Sequence, residues 1–181
     1  MNSASPRAGE EDTTVAQMIN DIIEQEKRLV FLAFSSEDAW ELGRLTVQVA
    51  LERQLGVAID VMRGEQQMFH CALPGTSADN DQWISRKTRV VRRFGHSSLL
   101  VRLQHDVSGV AFEDRPWNDP MTHAAFGGSF PINFPGSGML GTLTVSGLPD
   151  AEDHALVVEI IERFLGGERA AGSFTWLGTP R

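Results

Sequence analysis

The chain has 181 residues, of which 41% are hydrophobic and 22% charged, so it can form one domain with a sizeable core and is not a largely disordered protein. Its formal net charge of -8 argues against general binding to nucleic acid or to anionic membrane surfaces. The N-terminal segment lacks a signal-peptide pattern, no apolar run is long enough to span a bilayer, and the single cysteine, Cys71, permits no internal disulfide, so we expect a cytoplasmic protein.

The first elements along the chain are a polar tail, a helix and a short apolar run. Residues 1–12 are small, polar and acidic, which predicts a mobile tail. Apolar residues recur at helical spacing between Thr13 and Arg28 and predict an amphipathic helix. The run LVFLAF, residues 29–34, predicts a largely buried strand.

A second helix and a β-hairpin follow. Ser35 and Asp38 form a variant of the capping box, which predicts a helix that begins there and ends at Gly56. The segments 57–63 and 66–73 are separated by a short turn at Gly64 and predict two antiparallel strands.

The third helix carries much of the positive charge of the chain. The turn-rich stretch 74–81 precedes it, and Asn80 or Asp81 is expected to cap a helix that begins near Trp83. Gly95 is expected to weaken or break this helix in the middle. One face of the helix is predicted to be basic, with flanking cations beside it: Arg86, Arg89, Arg93 and His96, flanked by Lys87 and Arg92.

Two interpretations of this basic face remain open. It can be a solvated surface or a source of salt bridges between subunits, as charged helix faces usually are. Alternatively, Lys87, Arg89 and Arg93 can capture propionates, phosphates or an acidic partner peptide through charge-assisted hydrogen bonds.

The C-terminal half contains a second hairpin and a last helix. After an irregular stretch, residues 128–132 and 138–147 predict two strands, and Pro131 favours an edge position. Apolar residues from Leu156 to Leu165 predict a helix that starts near Asp150 and stops at Gly166. The alternation of helices with hairpins predicts an α+β domain over residues 13–167, with an antiparallel sheet flanked by helices and a C-terminal tail, 168–181.

Three stretches carry a resemblance to a known family: RKTRVVRRFGHSS (86–98), AAFGGSFPI (124–132) and GTLTVSGLPDAEDHALV (141–157). Together they resemble the UPF0303 family, a branch of the haem-degrading-domain or GlcG/HbpS-like superfamily. The resemblance implies a profilin-like, PAS-like fold and a homo-oligomer. It also implies haem or a corrinoid as a candidate ligand, although no activity of the UPF0303 branch can be carried over.

Against this background we consider eight candidate ligand-binding residues. His123 lies in a loop and can reach a ligand, or it is a surface histidine or helix cap. Gly127 and Gly128 allow close backbone approach and, with Phe130, can line a ligand, or they form a tight entry into a strand. His96 can be a ligand, a subunit contact or a backbone cap; Lys87, Arg89 and Arg93 complete the set. Asp150 and Asp153 are expected to cap the last helix.

Several chemistries lack sequence support. No HxH or HExxH spacing predicts a preformed zinc site, and no GxSxG or P-loop motif occurs. GSGMLG (136–141) has the GxGxxG spacing, but it lies in a predicted hairpin and not between a strand and a helix, so it is not a dinucleotide-binding fingerprint. Cys71 lies in an apolar strand, where a thiol is usually inert.

The leading hypothesis for the function is a homo-oligomeric small-molecule-binding module for haem or a related tetrapyrrole. The others are a non-catalytic adaptor that binds another protein, with Phe174 and Trp176 as a subunit contact, and a haem-degrading or redox enzyme.

Overall fold

The structure, a computed structural model, describes residues 8–171, with side chains from residue 14 onward, so the predictions for residues 1–7 and for Phe174 and Trp176 lie outside the described residues. Helices and strands follow one another in this order: α1 Ala8–Arg28, α2 Ser36–Glu52, β1 Ala58–Arg63, β2 Gln66–Ala72, α3 Ala78–Phe94, α4 Ser98–Val107, a 3-10 turn Phe112–Asp114, β3 Ser129–Phe134, β4 Gly138–Ser146 and α5 Asp150–Leu165. Helix α1 begins at Ala8, before the expected start at Thr13.

The four strands form one antiparallel sheet in the order β2-β1-β4-β3. Both expected hairpins are present, and the α+β class is confirmed. Strand β3 lies at an edge, as Pro131 requires, because proline cannot donate a ladder hydrogen bond. Across residues 8–171, no helix is both long enough and apolar enough to cross a membrane.

One face of the sheet carries the main hydrophobic core. Alternate strand residues point to this face, where α2 and α5 cover them. Ile59 and Val61 of β1 and Leu143 and Val145 of β4 are all fully buried there. This layer joins residues far apart in the sequence and holds the two hairpins in one sheet.

The opposite face of the sheet is polar and is covered by α3. Asp60 of β1 and Thr144 of β4 point to this side and are 3% and 0% exposed. Thr144 Oγ1 lies within hydrogen-bonding distance of Thr88 Oγ1 on α3, at 3.1 Å, and of Ser129 Oγ on β3, at 2.8 Å. The protein therefore buries a layer of hydrogen-bonded polar groups under α3, and this layer positions the cavity described below.

The stretch 29–34 does not form the expected strand. It makes one isolated parallel bridge, between Val30 and Asn133, and the Phe31 N–H donates to Asn133 C=O at 2.8 Å. Leu29, Phe31 and Phe34 are buried and Leu32 is 88% exposed, so three side chains of the segment still anchor it to the core. The apolar residues of this run are therefore explained by their contacts with the core and not by strand pairing.

The basic helix is shorter at its C-terminal end than the sequence suggested, and a second helix follows it. Ser77 caps α3, and Asn80 is the N3 residue of this capping box; neither Asn80 nor Asp81 is the N-cap. Gly95 adopts a left-handed conformation (φ 72°) and ends α3, which confirms the expected break at this glycine. His96 therefore lies outside the helix and does not share the face of Arg89 and Arg93.

The expected start of α2 is confirmed, but its end is not. Ser35 and Asp38 exchange both bonds of a capping box. The helix ends at Glu52, before Gly56, because Gln54 already has a positive φ of 56°.

Candidate functional site

His123 lies in the loop that leads from the 3-10 turn to β3, and this loop packs beside α3 near Arg89. Its backbone N–H donates to the Asp119 carbonyl at 2.9 Å, which fixes the loop. Its Nδ1 lies 2.8 Å from Thr122 Oγ1. Within residues 8–171 its Nε2 has no hydrogen-bond partner, so Nδ1 orients the ring while Nε2 faces away from Thr122.

Two arginines of α3 reach the same loop. Arg89 donates from Nη1 to the Thr122 carbonyl at 3.2 Å, beside His123. The Arg93 guanidinium lies 4.3 Å from the ring centre of Trp117 and 5.5 Å from that of Phe94. Three residues that the sequence singled out, His123, Arg89 and Arg93, are therefore brought together, and we call them the basic corner.

The environment of the basic corner favours the neutral form of the His123 imidazole. Burial lowers the pKa of His123, and the positive charges of Arg93 and Arg89 lower it further, while Asp119 opposes them. A neutral imidazole with one nitrogen held by a hydrogen bond is the form in which histidine binds iron or another metal.

Lys87 lies away from this corner, in a buried ion pair. Its Nζ donates to Asp153 Oδ2 at 2.7 Å and to the Val145 carbonyl at 3.2 Å, and both charged side chains are nearly inaccessible. Burial raises the pKa of the Asp153 carboxyl, and Lys87 opposes this rise. Asp153 also accepts a hydrogen bond from the Leu148 N–H at 3.0 Å. The N-cap of α5 is Pro149, with no side-chain cap hydrogen bond, so the expected capping of this helix by Asp150 and Asp153 is wrong.

The two glycines pack against this ion pair and the start of α5. The Gly127 N–H donates to the Asp150 carboxylate, and a side chain at Gly127 would collide with the Asp150 carbonyl. Gly128 has φ 109°, and a Cβ there would lie 2.6 Å from the Val145 carbonyl and 3.0 Å from Lys87 Nζ. Close packing explains why both positions are glycine, and their predicted role in ligand binding stays a prediction.

Phe130 and His96 lie at two further places. Phe130 is fully buried in the main core, with its ring centre 6.0 Å from that of His154. His96 Nδ1 lies 2.6 Å from Glu26 on α1, and the same carboxylate accepts the Ser97 N–H at 2.6 Å. This contact ties α1 to the start of α4. The eight predicted site residues are thus spread over four places.

A polar cavity between α3 and the β1–β2 hairpin was not predicted from the sequence. It has a volume of about 540 Å³. Gln67 Nε2 donates to Asp60 Oδ1 at 2.6 Å. His70 lies between two carboxylates, with Nδ1 3.7 Å from Asp60 and Nε2 3.5 Å from Asp81. Arg89 and Arg92 lie on the α3 side of the cavity, so Arg89 connects it to the basic corner.

Burial raises the pKa of the Asp60 carboxyl, whereas Gln67, His70 and Arg92 oppose the rise. One pattern in the sequence indicates the polar side of this cavity. The alternation in AIDVMR places Asp60 on the face opposite Ile59 and Val61, and GTLTVS does the same with its hydroxyl residues. Such a polar face usually meets solvent, so only the packing of α3 against it identifies Asp60 as buried.

Comparisons with known proteins agree with the fold and decide the family. The family model described as haem degrading protein HbpS-like matches residues 34–162. A UPF0303 protein of Streptomyces coelicolor is 52% identical over 151 residues, which cover 83% of this chain and 96% of the relative. This chain belongs to the HbpS-like family, in its UPF0303 branch.

Solved structures of this HbpS-like fold align over most of the chain. The crystal structure of the Ybr137w protein is 28% identical, with a TM-score of 0.76, and the match covers 82% of this chain and 88% of that one. The structure of a PduOC:haem complex is 18% identical, with a TM-score of 0.58, and the match covers 72% of this chain and 94% of that one. At this identity the second likeness supports the fold alone.

The residues of the chain can be tested against the needs of a haem. Haem needs an axial donor, cationic partners for its propionates and apolar cover for the ring. The basic corner supplies the first two through His123, Arg89 and Arg93. The polar cavity does not suit a tetrapyrrole ring, because only Met62 and Ile84 among its ten lining residues are hydrophobic. The basic corner therefore meets two of these three needs, whereas the cavity lacks the apolar surface that a tetrapyrrole ring requires.

Proposed function

We propose that this chain is a small-molecule-binding module whose ligand is haem or a related tetrapyrrole, held at the basic corner by His123, Arg89 and Arg93. The observation that carries the proposal is the convergence of one oriented imidazole and two guanidinium groups at one corner of α3. Two functions of the site follow from this geometry, and they are separable by mutation.

The first function is ligation of the iron. The Nδ1 contact with Thr122 orients the His123 ring and leaves Nε2 as the donor atom. Bound haem would supply an iron centre whose chemistry depends on its axial ligand and its surroundings. The protein's own contribution is to hold the imidazole neutral and in place.

The second function is recognition of acidic groups. Arg89 uses Nη1 for the Thr122 carbonyl, and a guanidinium has further N–H donors that can meet a propionate. Arg93 lies over the Trp117 ring, and Trp117 is 45% exposed. The Trp117 ring offers apolar contact close to the cation, as an amphipathic ligand requires.

The family match supports this assignment, since the matching model is named for haem degradation. A PduOC structure of the same fold was solved as a haem complex, which is consistent with the proposal. Met121, two residues before His123, is 79% exposed. A second copy of the chain that covers this surface would enclose the ring, so the proposal includes a homo-oligomer.

A haemin titration tests the proposal. Purified wild-type protein and the variants His123→Ala and Arg93→Glu are titrated with haemin and followed by absorbance, and native mass spectrometry counts haems per chain. His96→Gln is the matched control, because His96 is bound to Glu26 and lies away from the corner. We expect one saturable site per chain, an altered Soret band in His123→Ala and weaker binding in Arg93→Glu.

Equal binding by wild type and His123→Ala would refute ligation by His123, and no stoichiometric binding would refute the tetrapyrrole assignment. The adaptor hypothesis would then be tested through charge reversal at Arg89 or Arg93, which should abolish capture of an acidic partner. Turnover of haem would be tested only after binding, with an added electron donor.

A further inference from the structure

The polar cavity beneath α3 is a second place where the chain can hold a ligand, and its chemistry differs from that of the basic corner. We propose that the cavity binds a small organic anion that also carries hydroxyl groups, the chemistry shared by sugar phosphates and polyhydroxy acids. The proposal does not depend on haem binding. The volume of the cavity, about 540 Å³, lies within the range of sites that bind small molecules.

The acidic end of the cavity is built for hydroxyl groups. Asp60 is 3% exposed, and Gln67 holds one of its oxygens at 2.6 Å. His70 lies between Asp60 and Asp81, and Ser85 lines the same cavity. These groups offer both donors and acceptors, with Asp60 buried and His70 and Asp81 partly open to solvent. A ligand hydroxyl can therefore donate to a carboxylate and accept from an amide or imidazole.

The other end of the cavity is built for an anion. Arg89 and Arg92 lie one turn apart on α3 and both line the cavity. Arg92 donates to the Gly64 carbonyl, and its Nη1 is 3.0 Å from Glu65, a carboxylate whose side chain is 92% exposed. A ligand anion can replace so exposed a partner at little cost, because surface ion pairs contribute little.

A neighbouring unpaired hydroxyl supports the location of this anionic end. Thr142 is 1% exposed, and its hydroxyl has no hydrogen-bond partner within the described residues. It lines a smaller cavity of about 210 Å³ that also contains Arg92. A buried polar atom without a partner is rare in folded proteins, and a ligand or water that reaches past Arg92 would satisfy it.

The two ends are separated along the helix. Asp81 lies in the first turn of α3 and Arg92 in its last, which at about 1.5 Å per residue places their backbones roughly 16 Å apart. Asp60 lies close enough to Arg92 for the guanidinium to oppose the rise of the Asp60 pKa, so it is Asp81 and Arg92 that define the two ends. A purely anionic molecule would meet both Asp60 and Asp81, whereas a molecule with an anion at one end and hydroxyls at the other complements both ends.

Isothermal titration calorimetry with matched probes tests the proposal. Glucose 6-phosphate and gluconate carry both groups, with a phosphate or a carboxylate as the anion; glucose and inorganic phosphate carry one each. The variants are Asp60→Asn, which keeps the shape of the side chain, and Arg92→Gln. Arg86→Gln is the control on the same helix, since Arg86 packs over Trp83 outside the cavity. Circular dichroism and thermal unfolding establish that each variant is folded.

We expect saturable binding of at least one of the two bifunctional probes, weakened about tenfold or more by Asp60→Asn and by Arg92→Gln. Arg86→Gln and His123→Ala should bind as the wild type does, and the second result separates this site from the haem site. The proposal is overturned if neither bifunctional probe binds, if inorganic phosphate alone binds as tightly, or if Asp60→Asn has no effect.

Discussion

Lys87 and Asp153 form a buried ion pair. From the sequence, Lys87 was expected to belong to a basic surface of α3. Both side chains are nearly inaccessible, and the pair connects α3 with the end of β4 and with α5. Removing two charges from water is costly, so such a pair contributes little net stability as long as it is intact. Removal of one partner is different, because the other charge is then buried alone.

Lys87→Met should therefore lower the free energy of unfolding by about 3–5 kcal/mol. The double variant Lys87→Met/Asp153→Leu should recover most of this loss, since no charge is left unpaired. Urea unfolding of the three proteins measures both effects. A loss below about 1 kcal/mol in the single variant would show that Asp153 finds another partner or solvent.

His154 gives the protein a predictable response to acid. It is 5% exposed, its Nε2 lies 3.1 Å from Gln25 Oε1, and its Nδ1 is buried without a partner among the described residues. Burial lowers the pKa of His154 from 6.5 to about 4, although Asp150 acts in the opposite direction. Between these pH values the unfolded chain holds a proton on this residue that the folded chain does not.

Stability should consequently fall as the pH is lowered from about 6.5 to 4, by about 3 kcal/mol for this residue. Urea unfolding of wild type and His154→Gln over this range isolates the contribution, because the variant cannot take up the proton. If both proteins lose stability with the same slope, His154 is not held neutral in the fold.

At the scale of elements, the break between α3 and α4 decides which basic residues act together. Gly95 has φ 72°, and a Cβ added there would meet no atom within 4 Å, so backbone conformation alone favours glycine at this position. The break removes His96 from the face of Arg89 and Arg93 and directs it to Glu26. The helix end thereby separates an interhelix contact from the basic corner.

Gly95→Ala should destabilise the protein by at least about 1 kcal/mol, because alanine is strained in the left-handed region. Gly95→Asn should cost less, since asparagine tolerates that conformation. Thermal and urea unfolding compare the two. Equal losses would mean that the helix end, and not the left-handed backbone, sets the cost.

Local patterns predicted most of the elements, and long-range contacts account for the differences. The capping box at Ser35, both hairpins and the edge position of Pro131 depend on neighbouring residues and were predictable. The conformation of residues 29–34 depends on a bridge to Asn133, which is distant in the sequence. Lys87 is buried because it pairs with Asp153, which is also distant. In the same way, His123 and Arg93 were recognised separately, whereas Asp60 was missed because its burial requires α3.

In the molecule as a whole, the two faces of the sheet differ in polarity and in what covers them. The face toward α2 and α5 is apolar and supplies the main core. The face toward α3 is polar and lines the polar cavity, and Arg89 of α3 connects that cavity to the basic corner. A fold of this kind can keep its core while the residues beneath one helix determine what it binds.

The proposed ligation of a haem iron by His123 can be tested by a crystal structure of the haemin complex with anomalous data at the iron absorption edge. We expect one strong anomalous peak per chain within bonding distance of His123 Nε2, with the propionates toward Arg89 and Arg93. An iron peak at another residue, or bound haem with no contact to His123, would exclude ligation by His123.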